Sequence, residues 1–90
     1  MRHPASPFTV RIHEYSLELN RVGMDRLQIY SSRHRYARAA ARRLATIITG
    51  KSALAREIRA CAPRKGLSML IECGDGTRLA LRPFREQFPA

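Results

Sequence analysis

Residues Ser31–Gly50 read SSRHRYARAAARRLATIITG. Alanine, leucine and arginine are good helix formers, and the segment holds little else. At about 100° per residue, Tyr36, Ala37, Ala40, Ala41, Leu44, Ile47 and Ile48 fall in one arc, the apolar stripe of a helix lying on a core. Arg35, Arg38, Arg42 and Arg43 fall on the opposite arc. Ser31 or Ser32 is placed to cap the start, and Gly50 to stop the end in a left-handed conformation. Small side chains at 37, 40 and 41 let the backbone lie close to its support.

The five arginines of this stretch, Arg33, Arg35, Arg38, Arg42 and Arg43, have no acid among them. Basic side chains in a first turn oppose the helix macrodipole, and Arg33 and Arg35 are expected there. Glutamate partners at i±4 are missing, so the helix cannot neutralise itself. From Arg26 through Arg56 there are eight basic residues, Lys51 and Arg56 included, and no acid. Two readings fit: a wet face whose arginine stems cover apolar surface, or an anion-binding surface. On the second, Arg33, Arg35, Arg38, Arg42, Arg43, Lys51 and Arg56 are the candidate contacts to a partner or a nucleic acid. Along a helix, Arg35 to Arg43 span about two turns, roughly 12 Å, enough to track phosphates. Asparagine and glutamine, which read adenine, are absent from the segment, so backbone contact is expected rather than base reading.

The whole chain agrees with that charge. Its 90 residues make one domain, with 1–7 and 86–90 expected as tails. Seventeen basic and seven acidic residues give a formal charge of +10, which favours an anionic macromolecule as partner. Fifteen of the basic residues are arginine, the better phosphate ligand, although GC-rich coding also enriches arginine and alanine. Apolar content of 44% is ordinary for a folded domain. Cys61 and Cys73 match neither a disulfide framework nor a zinc pattern and read as core thiols of a reducing cytosol. No apolar run approaches membrane-spanning length, and 1–7 lacks the apolar region of a secretion signal.

Outward from the helix, the chain reads as strands. Phe8 to Leu19 alternates, with a slip around His13–Glu14 that a β-bulge would absorb. Asn20 to Gly23 is a turn, and Met24 to Tyr30 a second strand with Leu27 and Ile29 inward. After Gly50, Ser52 caps a shorter helix from Ala53 to about Ala62, with Leu54, Ile58 and Cys61 inward. Pro63–Gly66 is a basic loop. Leu67 to Cys73 is a third strand, with Leu67, Met69, Ile71 and Cys73 on one face. The Gly74-Asp75-Gly76-Thr77 turn leads into a fourth strand, Arg78 to Arg82, which Pro83 ends. Phe84 is expected against the core and Phe88 loose. The expected fold is α+β, ββααββ: an antiparallel four-stranded sheet with one long and one short helix on one face. The far face, carrying His13, Glu14, Arg26, Gln28, Ser68, Glu72, Arg78 and Arg82, is left exposed, a candidate surface for a homodimer.

Motifs for chemistry are sparse. Gly50-Lys51-Ser52 ends like a phosphate-binding loop, but the full pattern needs a glycine where Ala45 stands and a strand before it. It is better read as the stop of one helix and the cap of the next. His3, His13 and His34 lack metal-ligand spacing, no serine–histidine–acid signature is visible, and Glu57 is a charge partner for nearby arginines. No catalysis, metal or cofactor is expected. The apolar face of the long helix is mostly alanine, too weak to insert into a membrane.

The layout resembles small phage-encoded anti-CRISPR proteins, in which a strand or hairpin, an alanine-rich helix like Tyr36 to Leu44 (YARAAARRL) and a closing hairpin like Leu67 to Arg82 recur. The resemblance is one of layout across most of the chain. It carries no residue-level motif, so no residue role transfers with it. Many of those proteins are acidic DNA mimics, from which a charge of +10 departs. It implies a non-catalytic inhibitor in the cytoplasm of a bacterial host, docked on a CRISPR effector through an acidic protein patch or its RNA. The alternative is a basic accessory protein making sequence-nonspecific contacts to DNA or RNA phosphates.

Overall fold

Strand β1 (Phe8–Glu14) is the first element and sits inside the sheet, whose order is β2-β1-β3-β4. The computed structural model describes residues 4–14, 28–60 and 67–89. Every second residue of β1 is apolar, and Phe8, Val10 and Ile12 have no exposed surface. β1 pairs antiparallel with β2 (Gln28–His34) on one side and β3 (Leu67–Glu72) on the other. Val10 faces Ile71 and Ile12 faces Met69 across that second seam, so one sheet face is apolar. Leu67, Met69, Ile71 and Cys73 take the inner side as the alternation predicts, with Ile71 and Cys73 buried. Helix α1 (Ala37–Thr49) covers this face, and α2 (Ala53–Ala60) packs against α1. The antiparallel four-stranded sheet and the ββααββ order are as expected, with a third helix, α3 (Leu81–Gln87), added at the end.

The helix begins later than its composition suggests. Ser31 to His34 belong to β2, where Tyr30, Ser32 and His34 oppose Ile12, Val10 and Phe8. Strand pairing over seven residues outweighs the local preference for helix, since tertiary context decides such cases. The caps expected at Ser31 or Ser32 are therefore not made; Tyr36 is the N-cap residue and contributes no side-chain bond. Arg33 lies in β2 and Arg35 in the connection, so the arginine of the first turn is Arg38. The buried stripe of α1 is Ala40, Ala41, Leu44 and Ile47. Tyr36 (59% exposed) precedes the helix and leaves its phase, and Ile48 (38%) lies at its far end.

The register shift predicted near His13 is present, but the extra residue is on the partner strand. Ile12 pairs with Tyr30 and His13 with Gln28, leaving Ile29 of β2 as the bulge. Gly50 ends α1 in an extended conformation (φ −71°, ψ 159°), not a left-handed one. Glycine is needed there for space: its N–H reaches the Thr46 carbonyl, and a Cβ would collide with that oxygen. The carbonyls left open at this end are taken by Arg59 of α2, whose Nη1 donates to Ile47 O at 2.8 Å. The Ser52 cap of α2 forms as expected, its Oγ accepting from the Ala55 N–H at 3.2 Å. The inward pair is Ala55 and Ile58, while Leu54 is 44% exposed: the small Ala55 side chain, rather than Leu54, has the phase that meets α1.

The turn at 74–77 closes as read, with Cys73 N–H donating to Thr77 O at 2.7 Å and Gly76 at φ +92°. The strand after it, β4 (Arg78–Leu79), has two residues rather than five. Pro83 does not mark a stop; it occupies the first turn of α3, where a missing N–H costs nothing. Leu81, Phe84 and Phe88 then follow helical spacing. Phe88 is not loose: its ring lies 4.9 Å from that of Phe84 and 5.3 Å from that of Phe8, with Phe8–Phe84 at 5.7 Å. The expected tails are also built in. Ala5 is buried, its carbonyl accepts from the Gly74 N–H, and Ser6 Oγ donates to Arg35 O at 3.2 Å. The remainder of the predicted first hairpin (15–27), Cys61 and the basic loop at 63–66 lie outside the described residues, as do Arg26 and the side chain of Glu14.

Removing a ring from the aromatic group should undo more than a surface contact. Phe84→Ala is expected to cost about 3–5 kcal/mol and Leu44→Ala about 2–5 kcal/mol of unfolding free energy in a urea titration. A near-neutral Phe84→Ala would show that α3 is not docked as described.

Candidate functional site

Helix phase places Arg38 and Arg42 one turn apart on the same flank of α1. Docking of α3 brings Arg85 opposite them. Between the two helices runs an open groove of about 590 Å³, lined by these arginines together with the apolar Ala41, Ala45, Phe88 and Pro89. Thr46 and Thr49 complete the lining, but both hydroxyls donate to helix carbonyls, Arg42 O and Ala45 O, at 2.9 Å. The side-chain donors left for a ligand are the guanidinium groups. No acid lines the groove, and among the described residues Arg38, Arg42 and Arg85 form no ion pair. A site of this kind selects hydrogen-bond acceptors that carry negative charge.

Helix electrostatics act in the same direction. The first turn of α1 has no acid and contains Arg38, so the positive end of the macrodipole stays uncompensated. Its negative end, by contrast, is satisfied by Arg59. Arg59 entered no sequence motif because its partners are backbone carbonyls in another helix.

The other basic candidates are not gathered here. Arg43 lies about 100° round the helix from Arg42 and acts electrostatically on His34 of β2. Arg33 and Arg35 are exposed on β2 and on the β2–α1 connection. Lys51 and Arg56 are exposed at the α1–α2 corner and on α2, and neither lines the groove. Glu57 forms no ion pair among the described residues, contrary to expectation. Arg85 escaped sequence reading because Pro83 looked like the end of structure. The signal was the spacing of Leu81, Phe84 and Phe88.

The outer sheet face is charged, and part of its positive charge is paired within the protein. Gln28 Oε1 accepts from Arg11 Nη1 at 2.9 Å, Arg11 Nε lies 3.4 Å from Glu72 Oε1, and Arg78 Nε donates to Glu72 Oε2 at 3.0 Å. This row crosses all four strands. His13, Gln28, Ser68, Glu72 and Arg78 share the outer face, as expected, while Arg82 lies on α3, 3.8 Å from Glu86.

Ser32 Oγ and His34 Nε2 are 2.8 Å apart, and burial and then Arg43 lower the pKa of His34. Cys73 is buried, and burial, then Asp75 and Glu72, push its thiol up, so it stays protonated and unreactive. Among the described residues no cluster of histidine, cysteine and acids could hold a metal, and no helix is long and apolar enough to cross a membrane.

The lowered His34 pKa makes folding sensitive to acid. The unfolded chain takes up this proton first as pH falls below the ordinary value of 6.5, so stability rises with pH across the interval beneath it and the contribution is complete above. His34→Gln is expected to flatten that part of a stability curve measured by urea unfolding at stepped pH. An unchanged slope would assign the dependence to other groups.

No family model matches the chain, no curated protein matches its sequence, and no solved structure matches it.

Proposed function

We propose that this chain is a non-catalytic binding protein that seats a nucleic-acid backbone against its α1–α3 face. The observation that carries the reading is the convergence of Arg38, Arg42 and Arg85 on one acid-free groove. Guanidinium forks match phosphate oxygens in pairs. A net charge of +10 adds long-range attraction to any polyanion. No asparagine or glutamine lines the groove, so its polar contacts go to phosphates and it binds without reading a base sequence. The resemblance of the sequence layout to anti-CRISPR proteins suggests a setting, an inhibitor held by these arginines on the RNA or an acidic patch of a nucleoprotein effector in a bacterial cytoplasm.

Fluorescence anisotropy with labelled nucleic acid at increasing salt tests the reading. Three contacted phosphates give a log–log slope of about −2 to −3. Arg42→Glu is expected to weaken binding about tenfold or more, and Arg56→Glu, the same change of net charge outside the groove, less than about threefold. Equal losses would mean that the face acts only through total charge. No binding at low salt would remove nucleic acid as the partner and leave direct docking on protein, which a pull-down from host lysate with and without nuclease then reads.

A further inference from the structure

We infer that the α1–α3 groove takes a single nucleic-acid strand in preference to a duplex, with phosphates on its arginines and a base on its apolar lining. The inference rests on the nucleic-acid reading above and narrows its ligand. Charge alone does not decide between the two forms, because both present phosphates. The apolar part of the lining decides. Ala41, Ala45, Phe88 and Pro89 line the groove beside the three arginines. A duplex is a stiff convex cylinder whose bases are stacked inside, so it would span the arginines and leave this lining under water. A single strand has free base faces. Laying one on this apolar lining removes apolar surface from water on both partners, and the one aromatic side chain there, Phe88, suits bases of any sequence.

Three further features agree. The groove's size, about 590 Å³, lies in the range of preformed small-ligand pockets, roughly 300–1,000 Å³, which suits single nucleotide units better than a double helix. Arg38 and Arg42 are displaced by about 6 Å along the helix axis, comparable to one phosphate step of an extended strand. Phe88 is fixed before any ligand arrives, because Phe8 and Phe84 hold its ring at 5.3 Å and 4.9 Å. A lining that needs no rearrangement loses little entropy on binding. An acidic amphipathic peptide also combines charge with apolar groups, but in the groove both threonine hydroxyls already spend their protons on helix carbonyls, so the only side-chain donors for its backbone are the guanidinium groups.

The test compares a labelled oligothymidine strand with the same strand annealed to its complement, at matched salt, on the full chain. The single strand is expected to bind about tenfold more tightly, the effect of one stacked base. Ala45→Leu crowds the apolar lining with a good helix former and removes no charge. It should abolish that advantage while duplex binding stays within about twofold, with an unchanged thermal melt as the check on folding. Equal or tighter duplex binding overturns the inference but keeps the proposed function. So does an unchanged single-strand affinity in Ala45→Leu, with Ala45→Met as the second variant if the first melts early. Displacement by polyglutamate as effective as by unlabelled strand reassigns the groove to an acidic protein segment. Binding of neither nucleic-acid form overturns both readings together.

Discussion

The inner row of β1, Phe8, Val10 and Ile12, is sealed from solvent, and both neighbouring strands take their register from it. A one-residue slip would turn these three side chains to the outer face and bring Arg11 into the core. That penalty fixes how β2 and β3 must lie. It also explains why 31–34 extend β2 instead of starting a helix. Phe8, at the end of the row, adds a second role, since its ring is the surface on which Phe84 and Phe88 close edge-on. The position of α3, and with it one wall of the groove, follows from a side chain in the first strand.

Charge is spread unevenly over the surface built this way. On the outer sheet face, Glu72 is shared by Arg11 and Arg78, and Gln28 extends the row, so part of the positive charge is paired within the protein. On the α1–α3 side no acid among the described residues pairs with Arg38, Arg42 or Arg85. Repulsion among like charges at the start of α1 and along the groove works against folding. The apolar face of α1, with Ala40 and Leu44 fully buried, and the carbonyl contacts of Arg59 offset it. Exposed ion pairs contribute little to stability in general, so the contrast between the faces has little weight in folding.

Much of this was legible in the sequence because it follows local periodicity. Alternation gave β1 and β3, glycine chemistry marked the 74–77 turn, and helical phase placed Leu44 and Ile47 inside and Arg38 and Arg42 outside. What was not legible depends on partners distant in the chain. Ser31 to His34 carry a helix-compatible composition, and only the ladder with β1 makes them a strand. Leu54 and Ala55 are adjacent, and which one is buried depends on where α2 meets α1. Pro83 punctuates structure in either sense, as a strand stop or as a first-turn residue, and the aromatic contacts with Phe8 settle it. The site divided along the same line. Its two α1 arginines were found by phase, four other candidates proved scattered around the fold, with Arg43 turned toward β2, and Arg85 required knowing that α3 exists.

The contact between Phe8 and Phe88 joins positions nearly the whole length of the chain apart, and the bond from Gly74 to Ala5 closes a loop almost as long. Such closures cost chain entropy before any packing rewards them, so they form slowly compared with helices and neighbouring strands. The β3–β4 turn and the α1–α2 pair are local and free of that delay. Until α3 finds β1, the arginines of α1 face open water with no opposing wall. A chain that has formed only its local structure is basic without yet having a groove, because one wall of the groove comes from α3.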